Sequence, residues 1–496
     1  MSHKRTHRKR HAPRTIVAAA ATVAAVVAAP VAWGSINESG GSTGADKPRT
    51  PTEVTADFDN DGHEDLATGA PGAAVDGEFN AGYIAVSYGS EGAAPDRTQV
   101  LSQADEAVPG EATEEAAFGL HSVARDLDGD GYTDLVSTSD GLETESDGVG
   151  VLVLWGSSEG LQRGTVLQGA SVPGGMGEAY PLVGGDFNGD RKADLVLGAG
   201  QREGYFKGPF TREGKPAAVG PVPGTRDTSE GLVAGDVNGD GADDLVNLRE
   251  GETRKESRAE YIAGGKEGFG KPDRSLLPPA DNGTVGDVDD DGYGDLVLRT
   301  LKRDEDDPER LVAGPLAVLS GSAEGPDPER TTKIDQDTEG VPGKDRQGSM
   351  FGAALDAGDV NGDGYADVAV GVPAQDVDGK KDAGAVILLR GGSEGLTGKQ
   401  ARMVDESTGG EPSDVEKNNQ LSGGAMRTDA DLPLRLLDVT GDGDQDLAVG
   451  TPEDDDGAGI ARTLAGDEAY ALTPGKLPDG TEVPEKDSGL GYAFAQ

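Results

Sequence analysis

The stretch Asp57-Phe58-Asp59-Asn60-Asp61-Gly62-His63-Glu64-Asp65 places acidic side chains at alternate positions around one glycine. The nine-residue pattern Asp-x-(Asp/Asn/Thr)-x-Asp-Gly-x-x-Asp occurs seven times, with one copy carrying arginine in place of glycine. The copies, called acidic loops one to seven with positions 1 to 9, begin at Asp57, Asp126, Asp186, Asp236, Asp287, Asp359 and Asp438. A recurring unit of this kind is the sequence signature of a repeat architecture.

Strand-like segments surround every acidic loop. A short apolar run follows each loop at once, for example Leu195-Val196-Leu197, and an alternating segment ending in glycine and serine comes later, as in residues 385–395. Such segments are typical of β-strands closed by turns. Three or four short strands form one small antiparallel sheet that cannot bury its own faces, so the copies must stack. We therefore predict an all-β fold, a seven-bladed β-propeller.

The two ends of the repeat region are complementary. Residues 490–494 resemble residues 118–123 and 351–355, which precede the second and sixth acidic loops. The first acidic loop has no such segment ahead of it. We expect the C-terminal segment to complete the first blade and close the ring, which hides two exposed sheet edges.

Composition is consistent with this fold and excludes several classes of function. Aromatic residues are 4% of the chain and glycines number 79, which favours short strands and turns over helix bundles. The absence of cysteine excludes disulfides, thiol chemistry and a lipid-bearing cysteine. A net charge of −47 argues against nucleic acid as a partner.

The N-terminus predicts a targeting segment. Basic residues between Lys4 and Arg14 precede an apolar run over residues 16–29, with Ala29 or Ala32 as cleavage positions, so residues 1–32 are interpreted as a secretory signal peptide. The run is short for a membrane span, and an uncleaved anchor at the cell surface is the alternative. Residues 33–51 are interpreted as a flexible linker and residues 52–496 as the propeller. We expect a secreted, extracellular protein with no membrane span after signal removal.

The acidic loops have the chemistry of calcium sites. Calcium takes six to eight oxygen ligands, and positions 1, 3, 5 and 9 supply side-chain oxygens while position 7 supplies its carbonyl. Glycine at position 6 permits the sharp turn. We expect up to seven Ca²⁺ ions. The candidate ligands are Asp57, Asp59, Asp61, His63 and Asp65; Asp126, Asp128, Asp130, Tyr132 and Asp134; Asp186, Asn188, Asp190, Lys192 and Asp194; Asp236, Asn238, Asp240, Ala242 and Asp244; Asp287, Asp289, Asp291, Tyr293 and Asp295; Asp359, Asn361, Asp363, Tyr365 and Asp367; Asp438, Thr440, Asp442, Asp444 and Asp446.

The loops are not equal. The third has Arg191 at position 6 and Asn188 at position 3, so we expect it to be the weakest site or empty. Thr440 is a poorer ligand than Asp or Asn and makes the seventh loop second weakest. We expect the ring of His63, at position 7 of the first loop, to be solvated.

Three further segments group acidic residues with glycine. Residues 75–82, 376–384 and 454–459 each follow the apolar run and precede the next strand. We interpret them as turns between strands and not as metal sites.

Residues 351–373, which begin with Phe351-Gly352 and end with Pro373, closely resemble the FG-GAP repeat of integrin α-subunit propellers and of many secreted bacterial proteins. Residues 66–71 and 447–452 match the second half of that repeat. The resemblance spans roughly residues 52–496, although Phe-Gly precedes only two loops and the third to fifth repeats lack the Gly-x-Pro ending, so irregular middle blades are expected. It implies that the acidic loops bind Ca²⁺ on one face and that ligands or partners meet the opposite face.

Catalytic residues are scarce. Only His63 and His121 lie outside the predicted signal peptide, so a zinc site or a Ser-His triad is hard to assemble. We predict a non-enzymatic recognition, adhesion or scaffold module whose partner is an extracellular protein or a glycan. The alternative is a secreted hydrolase, directed at carbohydrate or phosphoester, that uses carboxylates on the propeller face. A structural domain without a partner of its own is a third hypothesis.

Overall fold

The computed structural model describes residues 56–142, 148–173, 181–199, 202–223, 229–249, 258–304, 311–344, 348–408, 420–423, 433–452, 454–466, 468–475 and 488–496. The predicted signal peptide and linker lie outside these residues. In the described part of the chain, no helix is both long and apolar enough to cross a membrane.

Regular structure in the described residues consists of 27 strands and one single-turn helix, α1 (Asp454–Gly457). The strands are β1 (Leu66–Ala70), β2 (Tyr83–Tyr88), β3 (Arg97–Ser102), β4 (Ser122–Arg125), β5 (Asp134–Ser139), β6 (Gly148–Leu154), β7 (Gly164–Pro173), β8 (Leu182–Gly185), β9 (Asp194–Ala199), β10 (Arg202–Lys207), β11 (Ala218–Pro221), β12 (Gly231–Gly235), β13 (Asp244–Arg249), β14 (Arg258–Ile262), β15 (Ala280–Gly286), β16 (Asp295–Arg303), β17 (Leu311–Leu319), β18 (Thr331–Ile334), β19 (Leu355–Gly358), β20 (Asp367–Val372), β21 (Ala385–Arg390), β22 (Thr397–Val404), β23 (Leu434–Leu437), β24 (Asp446–Thr451), β25 (Ile460–Ala465), β26 (Glu468–Leu472) and β27 (Ala493–Phe494).

These strands form seven antiparallel sheets, the blades of one ring. Blade 1 has the order β27-β1-β2-β3, and blades 2, 3, 5, 6 and 7 are the four-stranded meanders β4–β7, β8–β11, β15–β18, β19–β22 and β23–β26. Blade 4 has three strands, β12–β14, and one antiparallel bridge between Tyr261 and Asp273 on its outer edge. The seven-bladed β-propeller is confirmed, and blade 4 is the irregular middle blade.

The second strand of a blade is buried on both faces because each blade packs between two others. Strands β5, β13, β20 and β24 are buried along their whole length. This explains why these strands begin as continuous apolar runs after the acidic loop and do not alternate. Apolar burial of this kind is the main favourable term in folding.

The hydrophobic core lies between the blades. Seven clusters of buried side chains in the described residues each join one pair of adjacent blades. In the cluster between blades 1 and 2, for example, Ile84 packs with Leu152. The cluster that joins blades 7 and 1 contains Leu472 and Tyr83. An unbroken set of seven interfaces means that the ring is closed.

The C-terminal residues close it. Strand β27 pairs with β1, placing Phe494 opposite Thr68. The next residues reach across to blade 2, because the Gln496 amide donates to the Ser122 carbonyl (3.1 Å) and the Gln496 carbonyl accepts from the Ala124 amide (2.8 Å). The predicted ring closure is confirmed. Residues 493–496, which complete blade 1, also fasten blade 1 to blade 2.

Substitution of Phe494 tests whether the C-terminal strand closes the ring. Its side chain is 2% exposed, so Phe494→Ala is expected to reduce the free energy of unfolding by about 3–5 kcal/mol. The matched control is Phe79→Ala, since Phe79 is 51% exposed and its loss should cost less than about 0.5 kcal/mol. Chemical denaturation of both variants provides the comparison, and equal effects would mean that the C-terminal strand does not hold the ring.

Candidate metal centres in the acidic loops

All seven acidic loops lie at one end of the blades. Each loop comes directly before the second strand of its blade, counting from the innermost strand. The second loop, for example, connects β4 with β5. The segments interpreted as turns lie at the other end, between the second and third strands. Bridges close two of them tightly, Val75 with Glu78 and Val377 with Lys380, and the third contains α1. The ring therefore has an acidic-loop face and an opposite face.

The position-1 carboxylate wraps each loop. It accepts the backbone N–H of position 6 in all seven loops, at 2.6–3.0 Å. Six of these donors are glycines with positive φ, and Arg191 adopts a φ of 63° in the third loop. A left-handed conformation is costly for a side chain such as arginine, which is the physical reason that glycine occupies position 6 elsewhere.

The position-9 aspartate is buried and connects the loop to the end of the third strand, at the same end of the blade. Its exposure is 0–1% in six loops and 7% for Asp446. In Asp134, one carboxylate oxygen accepts the position-2 amide of Leu127 (3.0 Å) and the other accepts the amide of Gly156, just after the third strand (2.8 Å). The second bond recurs in six loops, at 2.7–3.0 Å.

Burial makes these carboxylates difficult to ionise. Desolvation raises the pKa of Asp65 and of Asp134 to about 8, and that of Asp446 to about 7, despite the amide hydrogen bonds. The pKa values of Asp194, Asp244 and Asp295 rise to about 6 for the same reason. A cation at the centre of the loop favours the ionised form, so a bound metal would relieve the desolvation.

Two position-3 aspartates have a side-chain oxygen that no hydrogen-bond donor reaches in the described part of the chain. Within the described residues, Oδ1 of Asp59 and Oδ1 of Asp289 are buried without a hydrogen-bond partner. Three carboxylates lie with ligand atoms within 4.8 Å of one another in the first, second and fifth loops, and the three groups are Asp57, Asp59 and Asp61; Asp126, Asp128 and Asp134; Asp287, Asp289 and Asp291. Buried oxygens without donors, grouped in this way, fit a divalent cation with oxygen ligands.

The remaining predicted residues are placed less uniformly. In the fourth loop, Asn238 Nδ2 donates to Asp244 (3.0 Å), and in the seventh, the Thr440 hydroxyl donates to Asp446 (3.3 Å). In the sixth loop, Arg390 donates to Asp367 (2.6 Å). The position-7 amide donates to the position-5 carboxylate in six loops.

The prediction that the His63 ring is solvated needs correction. A side chain added at Gly441 of the seventh loop would lie 2.7 Å from His63 Nδ1, and that nitrogen is buried without a hydrogen-bond partner in the described residues. The ring therefore packs between the first and seventh loops. Position 7 thus contributes a side chain to the contact between neighbouring loops as well as a carbonyl.

Backbone hydrogen bonds connect the loops around the ring. In six of the seven loops the position-8 amide donates to the position-1 carbonyl of the preceding loop, as Thr133 does to Asp57 (3.0 Å) and Glu64 does to Asp438 (2.8 Å). Four further pairs repeat this contact: Asp243 to Asp186, Gly294 to Asp236, Ala366 to Asp287 and Gln445 to Asp359. The geometry of position 1 is therefore coupled to the next blade, and we call this contact the interloop bond.

Sequence reasoning missed position 2, which anchors each loop. Its side chain is apolar in every copy and joins the core between two blades; these residues are Phe58, Leu127, Phe187, Val237, Val288, Val360 and Val439. The signal was present, because the variable second position of the pattern is occupied only by Phe, Leu or Val.

Sequence reasoning also missed the glycine after the third strand, which supports the loop from outside. A Cβ at Gly391 would lie 2.4 Å from the position-8 carbonyl of Ala366, and a Cβ at Gly156 would lie 2.2 Å from that of Thr133. These glycines look like ordinary turn residues in sequence. They are required because the acidic loop's backbone packs directly on them.

Neighbouring glycines in blade 6 provide a matched test. Gly391→Ala forces a clash with the Ala366 carbonyl and is expected to destabilise the protein by about 1–3 kcal/mol. Gly392→Ala meets no atom within 4 Å and keeps its amide, so its unfolding free energy should stay within about 0.5 kcal/mol of the parent. Denaturation midpoints measure both; similar midpoints for the two variants would disprove the supporting role of Gly391.

Comparison with known proteins is consistent with this architecture. The FG-GAP repeat matches residues 51–87 and 351–389, and an FG-GAP-like repeat matches residues 126–197. Integrin alpha-PS2 of Drosophila melanogaster is 34% identical over 174 residues, covering 34% of this chain and 11% of that protein. Phosphatidylinositol-glycan-specific phospholipase D of Bos taurus is 27% identical over 171 residues, covering 34% of this chain and 18% of that protein. The chain thus spans a small part of the length of these relatives.

A solved structure shares the fold. An Agrocybe aegerita lectin that recognises non-reducing terminal N-acetylglucosamine aligns with 88% of this chain and 96% of its own, with a TM-score of 0.50 and 12% identity. At this identity the likeness concerns the fold alone. The chain is thus a seven-bladed propeller that carries FG-GAP repeats and is similar over part of its length to an integrin α subunit.

Proposed function

We propose that the acidic loops bind Ca²⁺ and that the ring is an extracellular recognition or adhesion module. The observation that carries the calcium assignment is the pair of buried position-3 oxygens without donors, Asp59 Oδ1 and Asp289 Oδ1, each within a group of three carboxylates. The ligands would be the side chains at positions 1, 3, 5 and 9 and the carbonyl at position 7. When bound, calcium neutralises crowded carboxylates and does no chemistry on a substrate.

The third and seventh loops are the weakest of these proposed sites. Arg191 at position 6 distinguishes the third, which also has Asn188 at position 3, while Thr440 of the seventh supplies a hydroxyl where the other loops have a carboxylate or an amide. The first, second and fifth loops, which carry Asp at positions 1, 3, 5 and 9, are the strongest candidates.

The proposed location is the extracellular space, because the N-terminal residues read as a signal peptide and calcium is abundant there. The relatives support recognition as the role: one is an integrin α subunit, and the lectin with the same fold binds a sugar. An extracellular protein or a glycan is therefore the proposed partner. We propose that the face opposite the acidic loops receives it.

We propose that the module is not an enzyme. Position-1 and position-9 aspartates are committed to the loops by hydrogen bonds, and His121 is buried, which lowers its pKa to about 4. The phospholipase D relative favours a phosphoester hydrolase as the second candidate, but the match covers 18% of that protein. Assay of phosphodiester and glycoside substrates tests this alternative; turnover abolished by one carboxylate substitution would establish it.

Calcium is expected to act as a folding cofactor. Extracellular sites have Kd values of about 10⁻⁴–10⁻³ M, and at roughly ten times Kd each site contributes about 1.4 kcal/mol by mass action. Chelation should therefore lower the melting temperature strongly, with recovery on adding Ca²⁺ and little recovery with Mg²⁺, which sheds its water reluctantly. Calorimetry with and without chelator measures this. An unchanged melting temperature would contradict calcium binding.

The binding face can be tested with two exposed side chains. Phe79 lies in the turn after β1, on the face opposite the acidic loops, whereas Val219 lies on the outer edge strand β11; they are 51% and 55% exposed. In a glycan array and in capture of extracellular proteins, both with Ca²⁺, Phe79→Ala should weaken binding and Val219→Ala should not. The reverse pattern would place recognition at the blade edge.

A further inference from the structure

Lys207 reaches into the third acidic loop and occupies its ligand groups. Its Nζ donates to Asn188 Oδ1 at 2.9 Å and lies 3.2 Å from Asp190 Oδ2. These are the side chains of positions 3 and 5. Asn188 is 4% exposed, while the Lys207 side chain that reaches it is 35% exposed.

We propose that the ammonium group of Lys207 is the resident cation of the third loop, which therefore holds its shape without calcium. The proposal rests on the proposed function, in which the other loops take calcium. In blade 3, the ammonium group of Lys207 takes the place that a calcium ion has in the other loops.

The contrast with the first and fifth loops carries the argument. There, the position-3 carboxylate has a buried oxygen with no donor in the described residues, at Asp59 and Asp289. In the third loop, the oxygen of the corresponding side chain is bonded to Lys207. A calcium ion needs that oxygen at roughly 2.3–2.6 Å, and an ammonium group bonded to the same oxygen repels it.

Position 9 of the third loop is also satisfied by neutral donors. Asp194 accepts hydrogen bonds from Asn188 Nδ2 (2.6 Å), Tyr205 Oη (2.7 Å) and the Gly208 amide (2.7 Å). Among the residues that the structure describes, two backbone amides donate to each of the corresponding carboxylates of Asp65 and Asp134 in the first and second loops. Asp244 of the fourth loop accepts the same kinds of donor, from Asn238, Tyr261 and Gly264, so the contact with Lys207 is what sets the third loop apart.

The balance of acidic and basic residues around the third loop also favours a site without calcium. The carboxylates of Asp186, Asp190 and Asp194 are balanced by three basic residues, which are Arg191 and Lys192 within the loop and Lys207 beside it. A loop that is already neutral gains little from a divalent ion.

Basic side chains at other loops differ in placement. Arg97 contacts one position-3 oxygen, Asp59 Oδ2, and leaves the second oxygen without a donor. Arg212 bridges Asp128 and Asp130, but it extends from blade 3 to the second loop and its side chain is 46% exposed. Asp128 also keeps its place in a group of three carboxylates. Lys207 ends the third strand of the loop's own blade, as Arg390 does in blade 6. Arg390, however, donates to the position-9 carboxylate of Asp367, whereas Lys207 contacts the position-3 and position-5 side chains.

Native mass spectrometry of the calcium-loaded protein tests the proposal by counting ions. Asp190→Asn should bind as many calcium ions as the parent, whereas the matched Asp363→Asn in the sixth loop should bind one fewer. Loss of one ion from Asp190→Asn would overturn the proposal. If the parent protein binds no calcium, so that Asp363→Asn has none to lose, the proposed function is overturned instead.

Thermal unfolding in chelator tests Lys207 whether or not the other loops bind calcium. Lys207→Met should lower the melting temperature in chelator by about 2 °C or more, because Asn188 and Asp190 lose the ammonium group that they contact, and Lys207→Arg should restore most of it. The control is Lys399→Met, which removes a surface ion pair with Glu394 in which both side chains are more than three-quarters exposed. Equal melting temperatures for Lys207→Met and Lys399→Met would overturn the proposal.

Discussion

Every blade of this propeller buries one aspartate at the start of its second strand, and the geometry of the acidic face follows from how that carboxylate is satisfied. Removing a carboxylate from water is expensive unless donors or a cation compensate. At Asp134 the compensation comes from two backbone amides, one in the loop and one just after the third strand, so the carboxylate fastens the loop to the end of the third strand. The raised pKa of this aspartate shows that two amides do not compensate fully.

The same loops connect one blade with the next. Position 1 folds its own loop through the position-6 amide and accepts the interloop bond from the following blade, while position 2 enters the core between the two blades. In the first loop these roles fall to Asp57 and Phe58. A cation that fixes position 1 would therefore stiffen a blade and its contact with its neighbour at once. This coupling gives a chain without disulfides a way to hold a rigid ring.

The blades, the acidic loops and the ring closure were predictable because a repeated local sequence pattern indicates each of them. The phase of residues 490–494 was enough to place β27 beside β1. What escaped prediction depends on contacts between segments distant in sequence. The requirement for glycine at Gly391 arises from the Ala366 carbonyl, and the His63 ring lies against Gly441 of another blade, with its Nδ1 buried. Lys207 is an ordinary strand residue in the sequence, and only the folded blade brings it to Asn188 and Asp190.

The central claim is that bound cations hold the acidic loops and, through the interloop bonds, the blades. Hydrogen–deuterium exchange of the loop amides tests it most directly, with the protein compared in calcium and in chelator. The account predicts that residues 57–65, 126–134 and 287–295 exchange much faster after chelation, while residues 186–194, held by Lys207, change little. Exchange that is the same in both conditions across all seven loops would contradict it.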